Sequence, residues 1–298
     1  MANSDFDKQK AQMASGKGFI AALDQSGGST PKALGLYGVT EDMYDGEDAM
    51  FDMIHQMRTR IITAPDFTGE KVIGAILFEK TMRGQVNGKP TSLALWDDLG
   101  VVPFLKIDKG LEDQANGVQM MKPIPGLEEL LAEAADMKVF GTKERSVIHE
   151  ANAEGIDAVV AQQFELGKRV LACGLVPILE PEVNIHSETK EAAEDMLKAS
   201  ILSHLDALAE GDDVMLKLTI PTKAGLYDDL ADHPRVIRVV ALSGGYTTDD
   251  ACEKLAQQPK MIASFSRALA EGLTYQQSDA DFNAALGSNI DKIYQASL

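Results

Sequence analysis

The stretch from residue 176 to residue 220 contains the repeating unit that decides the fold. It opens with VPILE at Val176–Glu180 and closes with VMLKLTI at Val214–Ile220. Both runs are nearly continuous in apolar residues, which is typical of strands that are covered on both faces of a parallel sheet. Between them, apolar residues recur at helical spacing: Met196, Leu197, Ile201, Leu205 and Leu208. The stretch therefore predicts a strand, a helix and a second strand.

Outward from this unit, similar apolar runs with helical patterns between them are spread along the chain. The further runs are Gly18–Asp24, Val72–Phe78, Val101–Ile107, Lys138–Lys143, Ile237–Ser243 and Met261–Ser266. Eight strands that alternate with helices predict an α/β fold, a parallel eight-stranded (β/α)8 TIM barrel. A doubly wound sheet shows the same alternation and is the alternative. Since no linker-like tract divides the sequence, we expect one barrel domain over 1–298.

The charge of the chain argues against two classes of partner. Its 298 residues include 28 Lys and Arg and 46 Asp and Glu, which gives a net charge of −18. Proteins that bind nucleic acids or anionic membranes need basic patches, so neither class is expected.

No apolar run approaches the roughly 18 residues of a membrane span, and residues 1–18 contain no secretory signal core. Two cysteines, Cys173 and Cys252, suit a reducing compartment. We therefore expect a cytoplasmic protein.

Charged residues occupy the ends of the predicted strands, where parallel barrels carry their active sites. They are Asp24, Glu79, Lys106, Lys143, Arg145, Glu180, Glu182 and Lys217. Because cations converge here in a strongly negative chain, they predict an anionic ligand. The competing interpretation is that the lysines and Arg145 simply pair with the nearby carboxylates.

Lys217 lies inside the apolar run VMLKLTI, so we expect its amine in a partly desolvated interior. Burial disfavours the charged form of a lysine, and a second cation nearby adds to this effect. Such an amine can attack a carbonyl and form a Schiff base. The pattern leaves open a structural ion pair with Glu180. Glu180 and Glu182 share one face of an extended segment, where paired carboxylates can serve acid–base steps.

Small polar residues follow the seventh and eighth runs, a frequent phosphate site in barrels. The sequence Ser243–Gly245 exposes backbone N–H groups and precedes a helix that opens at Thr248. Ser266 and Arg267 add a hydroxyl and a forked donor. A tight turn is the competing interpretation. The segment from Asp24 to Ser29 poses the same choice, between a turn and an acid/base aspartate beside a second phosphate loop.

The histidines do not predict a metal site. None of the five shows paired ligand spacing: His55, His149, His186, His204 and His233. Only Glu180, Glu182 and His186 cluster in the sequence. We therefore expect neither a metal nor another cofactor.

Six segments in consistent order, between residues 21 and 269, carry a resemblance to a known family. They are AALDQSGGST, GVVPFLKIDKG, GTKERS, GLVPILEPEV, VMLKLTIP with ALSGGY, and ASFSRAL. The chain resembles class I fructose-bisphosphate aldolase in its shorter bacterial form. The resemblance implies a lyase of glycolysis and gluconeogenesis that cleaves fructose 1,6-bisphosphate through a lysine Schiff base, without a metal. Its partners would be small sugar phosphates, and assembly into a homo-oligomer remains open.

The resemblance also implies roles for individual residues. Lys217 would form the Schiff base, Glu180 would dehydrate the carbinolamine with support from Glu182, and Lys143 would neighbour both. Asp24 would accept the C4-hydroxyl proton. Arg145 falls at a position that contacts the sugar phosphate. The dihydroxyacetone-phosphate end would be held by Ser243, Gly244, Gly245, Ser264 and Arg267. The other phosphate would face Lys106, Ser26 and Ser29.

Two departures from the family pattern keep other functions open. Ser266 replaces a glycine whose backbone N–H binds phosphate, and Tyr294 does not match the mobile terminal tyrosine that animal enzymes use for the enamine proton. The alternatives are a Schiff-base aldolase acting on another ketose bisphosphate and a barrel that binds sugar phosphate, or a partner protein, without catalysis. A metal-dependent aldolase is a third possibility.

Overall fold

The computed structural model describes residues 4–298 and contains eight parallel strands that follow one another around a barrel. The strands are β1 (Phe19–Leu23), β2 (Val72–Leu77), β3 (Val102–Lys106), β4 (Gly141–Ile148), β5 (Val176–Val183), β6 (Val214–Thr219), β7 (Val236–Leu242) and β8 (Met261–Ala263). Each strand pairs in parallel with the next. The (β/α)8 barrel is confirmed, and the doubly wound alternative is wrong.

Helices connect the strands and cover the barrel. They are α1 (Asp5–Ser15), α2 (Ser29–Leu36), α3 (Gly46–Ile62), α4 (Glu79–Arg83), α5 (Thr91–Leu93), α6 (Leu127–Asp136), α7 (Ala153–Ala172), α8 (Lys190–Asp206), α9 (Asp228–Ala231), α10 (Thr248–Leu255), α11 (Arg267–Ala270) and α12 (Asp279–Ala296). A 3-10 turn (Glu41–Met43), a π-helical segment (Ala94–Asp98) and a hairpin of Gln85–Val86 with Lys89–Pro90 lie in the loops. None of the helices in residues 4–298 is long and apolar enough to cross a membrane.

The inward side chains of the strands change from apolar to charged toward the carboxyl end of the barrel. Ile178 of β5 and Met215 of β6 belong to the fully buried interior cluster. Two residues further along the same strands come Glu180 and Lys217, which line a cavity. Successive side chains of a strand alternate between its two faces, so residues two apart point to the same side. The buried apolar residues and the charged residues that follow them therefore both face the barrel interior.

Helix α1 closes the opposite end of the barrel. Met13 is fully buried in the interior cluster, and the Gln12 amide donates to the carbonyls of Ile73 and Gly100. Residues 1–3, which belong to the segment without a predicted secretory signal core, lie outside the described part of the chain. Since α1 covers the amino-terminal end of the barrel, a substrate can reach the barrel interior from the carboxyl end.

Strand β4 differs most from the sequence prediction. The predicted run covers Lys138–Lys143, whereas the strand spans Gly141–Ile148. Lys138 instead has a left-handed backbone (φ 58°) in the turn after α6. The strand continues because it pairs with β5 over its full length, from Gly141 opposite Val176 to Ile148 opposite Val183. The predicted site residues of these two strands therefore lie within them rather than at their ends.

The barrel has a seam between β1 and β8. The Ala22 N–H donates to the Phe265 carbonyl at 3.4 Å. The Ala263 N–H donates instead to the hydroxyl of Ser297, just after α12, at 3.0 Å. Backbone pairing across this seam is therefore sparse, and side chains make a larger contribution there.

Candidate active site

A cavity of about 810 Å³ lies at the carboxyl end of the barrel strands. The structure brings fifteen of the predicted site residues together in its lining: Asp24, Ser26, Ser29, Lys106, Lys143, Arg145, Glu180, Glu182, Lys217, Ser243, Gly244, Gly245, Ser264, Ser266 and Arg267. Glu79 is outside this lining. It begins α4 and pairs with Arg83 and Lys109.

Lys217 presents its amine to the cavity from the wall formed by β6. Only 4% of the residue is exposed, and its neighbours Leu216 and Leu218 are fully buried. Its Nζ lies 3.1 Å from Oε1 of Glu180. The structural ion pair and the reactive amine are therefore compatible interpretations of this lysine, because the same amine is paired with Glu180 and faces the cavity.

Lys143 lies at the centre of a network of opposite charges. Its Nζ is 2.7 Å from Asp24 Oδ2, 2.8 Å from Glu180 Oε2 and 3.9 Å from Asp108 Oδ2. Lys106 Nζ is 2.8 Å from Asp108 Oδ1. We call Lys106, Lys143, Lys217, Asp24, Asp108 and Glu180 the six-charge cluster. Each of these charges has a partner of opposite sign, which offsets part of the free energy that burying them costs.

The pKa values of two cluster members follow from this pairing. Burial alone would raise the pKa of Asp24, but Lys143, Lys217 and Lys106 outweigh burial and lower it well below its usual range. Burial would lower the pKa of Lys143, but Asp24, Glu180 and Asp108 outweigh it and raise that pKa. Asp24 is therefore held as a carboxylate and Lys143 as an ammonium ion.

Glu180 and Glu182 both face the cavity, but they bind cations rather than acting as a carboxylate pair. Glu180 lies between two lysines, whereas Glu182 accepts from Arg145 Nη1 at 2.9 Å. Although burial opposes it, Glu182 and then Glu180 raise the pKa of Arg145. The two glutamates thus occupy different electrostatic environments.

The loops after β7 and β8 form one side of the cavity. Gly244 and Gly245 have positive φ angles of 60° and 125°. A Cβ on Gly244 would lie 2.7 Å from Ile185 Cγ2, so this tight loop requires glycine. The Ser264 hydroxyl is buried and has no hydrogen-bond partner in the described structure. With Arg267 nearby in the lining, the hydroxyl is available to a bound oxyanion.

The segment after β1 forms another side of the cavity and is a turn, as one of the two interpretations predicted. The Ser29 hydroxyl donates to the Ser26 carbonyl at 2.9 Å and accepts from the Ser26 N–H at 3.0 Å. Gly27 has a left-handed backbone at φ 52°. Because both serines also line the cavity, the turn does not exclude a phosphate loop.

Comparison with known proteins identifies the family. The sequence model of the glycolytic family, fructose-bisphosphate aldolase class-I, matches residues 6–221. The chain belongs to the class I fructose-bisphosphate aldolase family. The fructose-bisphosphate aldolase class 1 of Porphyromonas gingivalis is 56% identical over 291 residues, 98% of this chain and 99% of that protein. The one from Synechocystis is 55% identical and covers 98% and 97% of the two chains.

A solved structure agrees with this class I aldolase at the level of the fold. The fructose-bisphosphate aldolase of Plasmodium falciparum, crystallised with TRAP and a small-molecule inhibitor, superposes with a TM-score of 0.81. It is 18% identical, and the match covers 98% of this chain and 94% of that chain. The family model and the two relatives confirm the recognition made from the sequence and identify the chain as a lyase, and the structural likeness confirms the fold.

Three residues of this aldolase site were not predicted from the sequence. Asp108 neutralises two lysines, Gln25 lies beside Asp24, and Arg58 is buried behind Gln25. Arg58 carried a detectable signal, since it lies four residues after Ile54 and three before Ile61, on the apolar face of α3. Asp108 and Gln25 follow their strands in loops, where no periodicity marks them.

Tyr294 and His186 lie apart from the cavity lining. Tyr294 is in α12, half-buried against the core. His186 is exposed in the loop after β5. Within residues 4–298, no group of three or more His, Cys, Asp or Glu side chains is placed to hold a metal ion.

A further buried carboxyl lies behind the catalytic layer. Glu144 is fully buried on β4, between Lys143 and Arg145 in the sequence. The Thr142 hydroxyl donates to its Oε2 at 3.0 Å, and the Gln163 amide donates to its backbone carbonyl at 3.1 Å. Burial raises the pKa of Glu144 well above the ordinary 4.5. Burial therefore favours the protonated form of the side chain, which supports β4 by accepting the Thr142 hydrogen bond.

Glu144→Gln is expected to raise the free energy of unfolding at neutral pH. Because the folded-state pKa lies above the unfolded value, wild-type stability is lost as pH rises from 4.5 toward the folded value. Each whole pH unit of that interval costs about 1.4 kcal/mol, and the amide avoids this cost. Urea unfolding should show a gain at about pH 7.5 that disappears at about pH 4. The exposed Glu165→Gln on α7 is the control, and a gain that is independent of pH would contradict the assignment.

Proposed function

We propose that this protein reversibly cleaves fructose 1,6-bisphosphate to dihydroxyacetone phosphate and glyceraldehyde 3-phosphate through an imine on Lys217. The observation that carries the proposal is the buried Lys217 amine, which faces the cavity 3.1 Å from Glu180. An amine in this position can attack a ketone that enters from the open end. A protonated imine then supplies the electron sink that C–C cleavage requires.

In the first stage, the Lys217 ammonium group passes one proton to Glu180, its nitrogen adds to the C2 carbonyl, and a second proton moves from nitrogen to oxygen to give the carbinolamine. Glu180 touches Lys217 with one carboxylate oxygen and Lys143 with the other. It is therefore placed to take a proton from the amine and return it to the departing hydroxyl. Water leaves, and a protonated imine remains at C2. Lys143 keeps a positive charge close to Glu180 throughout.

In the second stage, the ionised Asp24 accepts the proton of the C4 hydroxyl. The C3–C4 bond breaks, its electron pair moves into the imine, and glyceraldehyde 3-phosphate leaves as the aldehyde. The enamine then takes a proton from solvent at C3 and Asp24 returns its proton to solvent, after which water hydrolyses the imine, releases dihydroxyacetone phosphate and regenerates Lys217. The surrounding lysines keep Asp24 in the carboxylate form, so it has an oxygen free to accept the proton.

The two phosphates of the substrate would occupy opposite sides of the cavity. We assign the dihydroxyacetone-phosphate end to the backbone of Ser243–Gly245 with Ser264 and Arg267, because this loop presents N–H groups, a free hydroxyl and a guanidinium. The other phosphate is assigned to Ser26, Ser29, Lys106 and Arg145. Ser266 contributes its backbone, since Gln25 donates to its hydroxyl.

Borohydride trapping tests the mechanism. The protein is incubated with dihydroxyacetone phosphate, reduced, digested and mapped by mass spectrometry. We expect the reduced adduct on the peptide that contains Lys217. Binding of dihydroxyacetone phosphate without any adduct would contradict the imine. An adduct on Lys143 or Lys106 would leave an aldolase but overturn the roles assigned here. Comparing kcat/KM for fructose, tagatose and sedoheptulose bisphosphates identifies the sugar.

Ser264→Ala is expected to weaken substrate binding without destabilising the fold. The hydroxyl makes no internal hydrogen bond in the described structure, so its removal costs the protein none. Loss of a hydrogen bond to a charged phosphate should raise KM about 10-fold. Steady-state kinetics and thermal unfolding measure the two quantities. A fall in Tm with an unchanged KM would show that the hydroxyl serves the fold instead.

We also infer that the chain works as one catalytic domain in the cytoplasm. Cys173 and Cys252 are free thiols, as expected in a reducing compartment. Every group assigned to the reaction lies in the single cavity at the end of one barrel.

A further inference from the structure

Arg58 is a buried cation that the proposed reaction does not use. It is 1% exposed and lies on α3 behind the first barrel strand. Its guanidinium donates to the Thr81 hydroxyl at 2.6 Å, to the Gln25 carbonyl at 2.5 Å and to Gln25 Oε1 at 3.2 Å. Among the described residues, no carboxylate forms an ion pair with it. Burial lowers its pKa to about 10 against the opposing charge of Asp24, so it remains charged.

Burying the charge of an arginine in this environment costs folding free energy. A buried charge without a counter-ion loses its hydration and regains only the hydrogen bonds that the site provides. Two of the three bonds of Arg58 go to one residue, Gln25. Gln25 follows Asp24 directly, so the contacts of Arg58 fix the backbone that positions Asp24.

Gln25 extends this chain of contacts across the seam of the barrel. Its Nε2 donates to the Ser266 hydroxyl, so both ends of its amide are engaged. Ser266 lies between Ser264 and Arg267 in the loop that we assign to phosphate. Backbone pairing between β1 and β8 is sparse here, with one bond of 3.4 Å from Ala22 to Phe265. The Gln25 side chain therefore forms a direct hydrogen-bonded tie between the loop that follows β1 and the loop that follows β8.

We propose that Arg58 and Gln25 are positioning residues that hold the Asp24 loop and the Ser264–Arg267 loop at a fixed separation through the Ser266 hydroxyl. The proposal rests on the proposed function, in which Asp24 acts near C4 while the second loop holds a phosphate. Both loops must engage the same substrate, and a misplacement of about 1 Å can cost about 100-fold in rate. The serine at position 266, a departure from the family pattern, supplies the acceptor for this tie.

A double-mutant cycle tests the tie between Gln25 and Ser266. We expect Gln25→Ala and Ser266→Gly each to raise KM for fructose 1,6-bisphosphate and Kd for inorganic phosphate by about 10-fold. Because both changes break the same contact, the double variant should be no worse than either single variant. Calorimetry with inorganic phosphate provides a readout besides turnover. Additive losses, or wild-type values in both single variants, would overturn the proposal.

Arg58→Met and Arg60→Met form a matched pair on α3. Arg60 stacks 4.2 Å from the Phe282 ring centroid and donates to the Gln277 carbonyl, outside the cavity. Both variants should lower Tm, but only Arg58→Met should raise KM, and it should raise it no further in the Gln25→Ala background. Equal KM values for the two arginine variants would assign Arg58 a purely structural role. If Arg58→Met does not fold, the Gln25 and Ser266 cycle still decides the proposal.

Wild-type measurements distinguish failure of this inference from failure of the proposed function. A wild-type protein that traps dihydroxyacetone phosphate on Lys217, with unchanged Gln25 and Ser266 variants, would refute the positioning role alone. A wild-type protein that forms no adduct and does not bind inorganic phosphate would refute both.

Discussion

Lys217→Met is expected to reduce cleavage of fructose 1,6-bisphosphate by at least about 10⁴-fold and to abolish the borohydride adduct. Methionine matches the length of the lysine stem and keeps the packing of β6, but it has no nucleophile. Glu180 is not left without a counter-ion, because Lys143 remains 2.8 Å away. The loss should therefore come from chemistry rather than from unfolding, and circular dichroism with Tm measurement checks this.

Lys106→Met is the matched control for Lys217→Met. It also removes a lysine from the six-charge cluster, but Lys106 contacts Asp108 rather than Glu180. We expect it to raise KM while an adduct still forms on Lys217. Full activity in Lys217→Met would refute the imine mechanism.

Asp24→Asn is expected to lower kcat for cleavage by about 10³-fold while the Lys217 adduct with dihydroxyacetone phosphate still forms. Asparagine preserves the shape of the side chain but cannot accept the C4-hydroxyl proton. Lys143 keeps Glu180 and Asp108 as counter-ions, so the fold should be retained. Steady-state kinetics and quantitative trapping on the same preparation separate bond cleavage from imine formation.

Glu180→Gln provides the contrast to Asp24→Asn. Because Glu180 is placed to transfer protons during loss of water, its replacement should slow both trapping and cleavage. If Asp24→Asn also prevents trapping, Asp24 would act by organising the lysines rather than as a base. If Asp24→Asn cleaves at the wild-type rate, another group must take the proton.

The order of strands and helices could be predicted because the apolar runs of a parallel barrel are nearly continuous. The limits of β4 could not be predicted in the same way. Its outward residues Thr142, Glu144 and Ser146 are polar, and they are buried because α7 covers them. A periodicity argument assigns such residues to a loop, since the Gln163 partner that makes their burial possible is distant in sequence.

The charged layer of the site was predictable for a different reason. Strand ends converge in a parallel barrel, so Lys143, Glu180 and Lys217 could be placed in one cavity without knowledge of their contacts. The choice of partner could not be predicted. Glu180 and Glu182 were expected to act together, but their distances show one glutamate between two lysines and the other on Arg145. Differences of a few ångströms between side chains of neighbouring strands are not encoded in spacing.

The equal charge count of the six-charge cluster constrains how this protein can evolve. A substitution that removes one member changes the net charge of a buried layer, and the cost reaches about 3–5 kcal/mol only where the partner has no other contact. The fold should tolerate a single change where the partner keeps a second contact, as Glu180 keeps Lys143, and elsewhere viable changes should arise as compensated pairs. The surface loops at Ser26–Ser29 and Ser243–Gly245 carry no such constraint of charge. Substitutions that change the preferred sugar should therefore arise first in these loops, whereas the catalytic residues on the strands should stay the same.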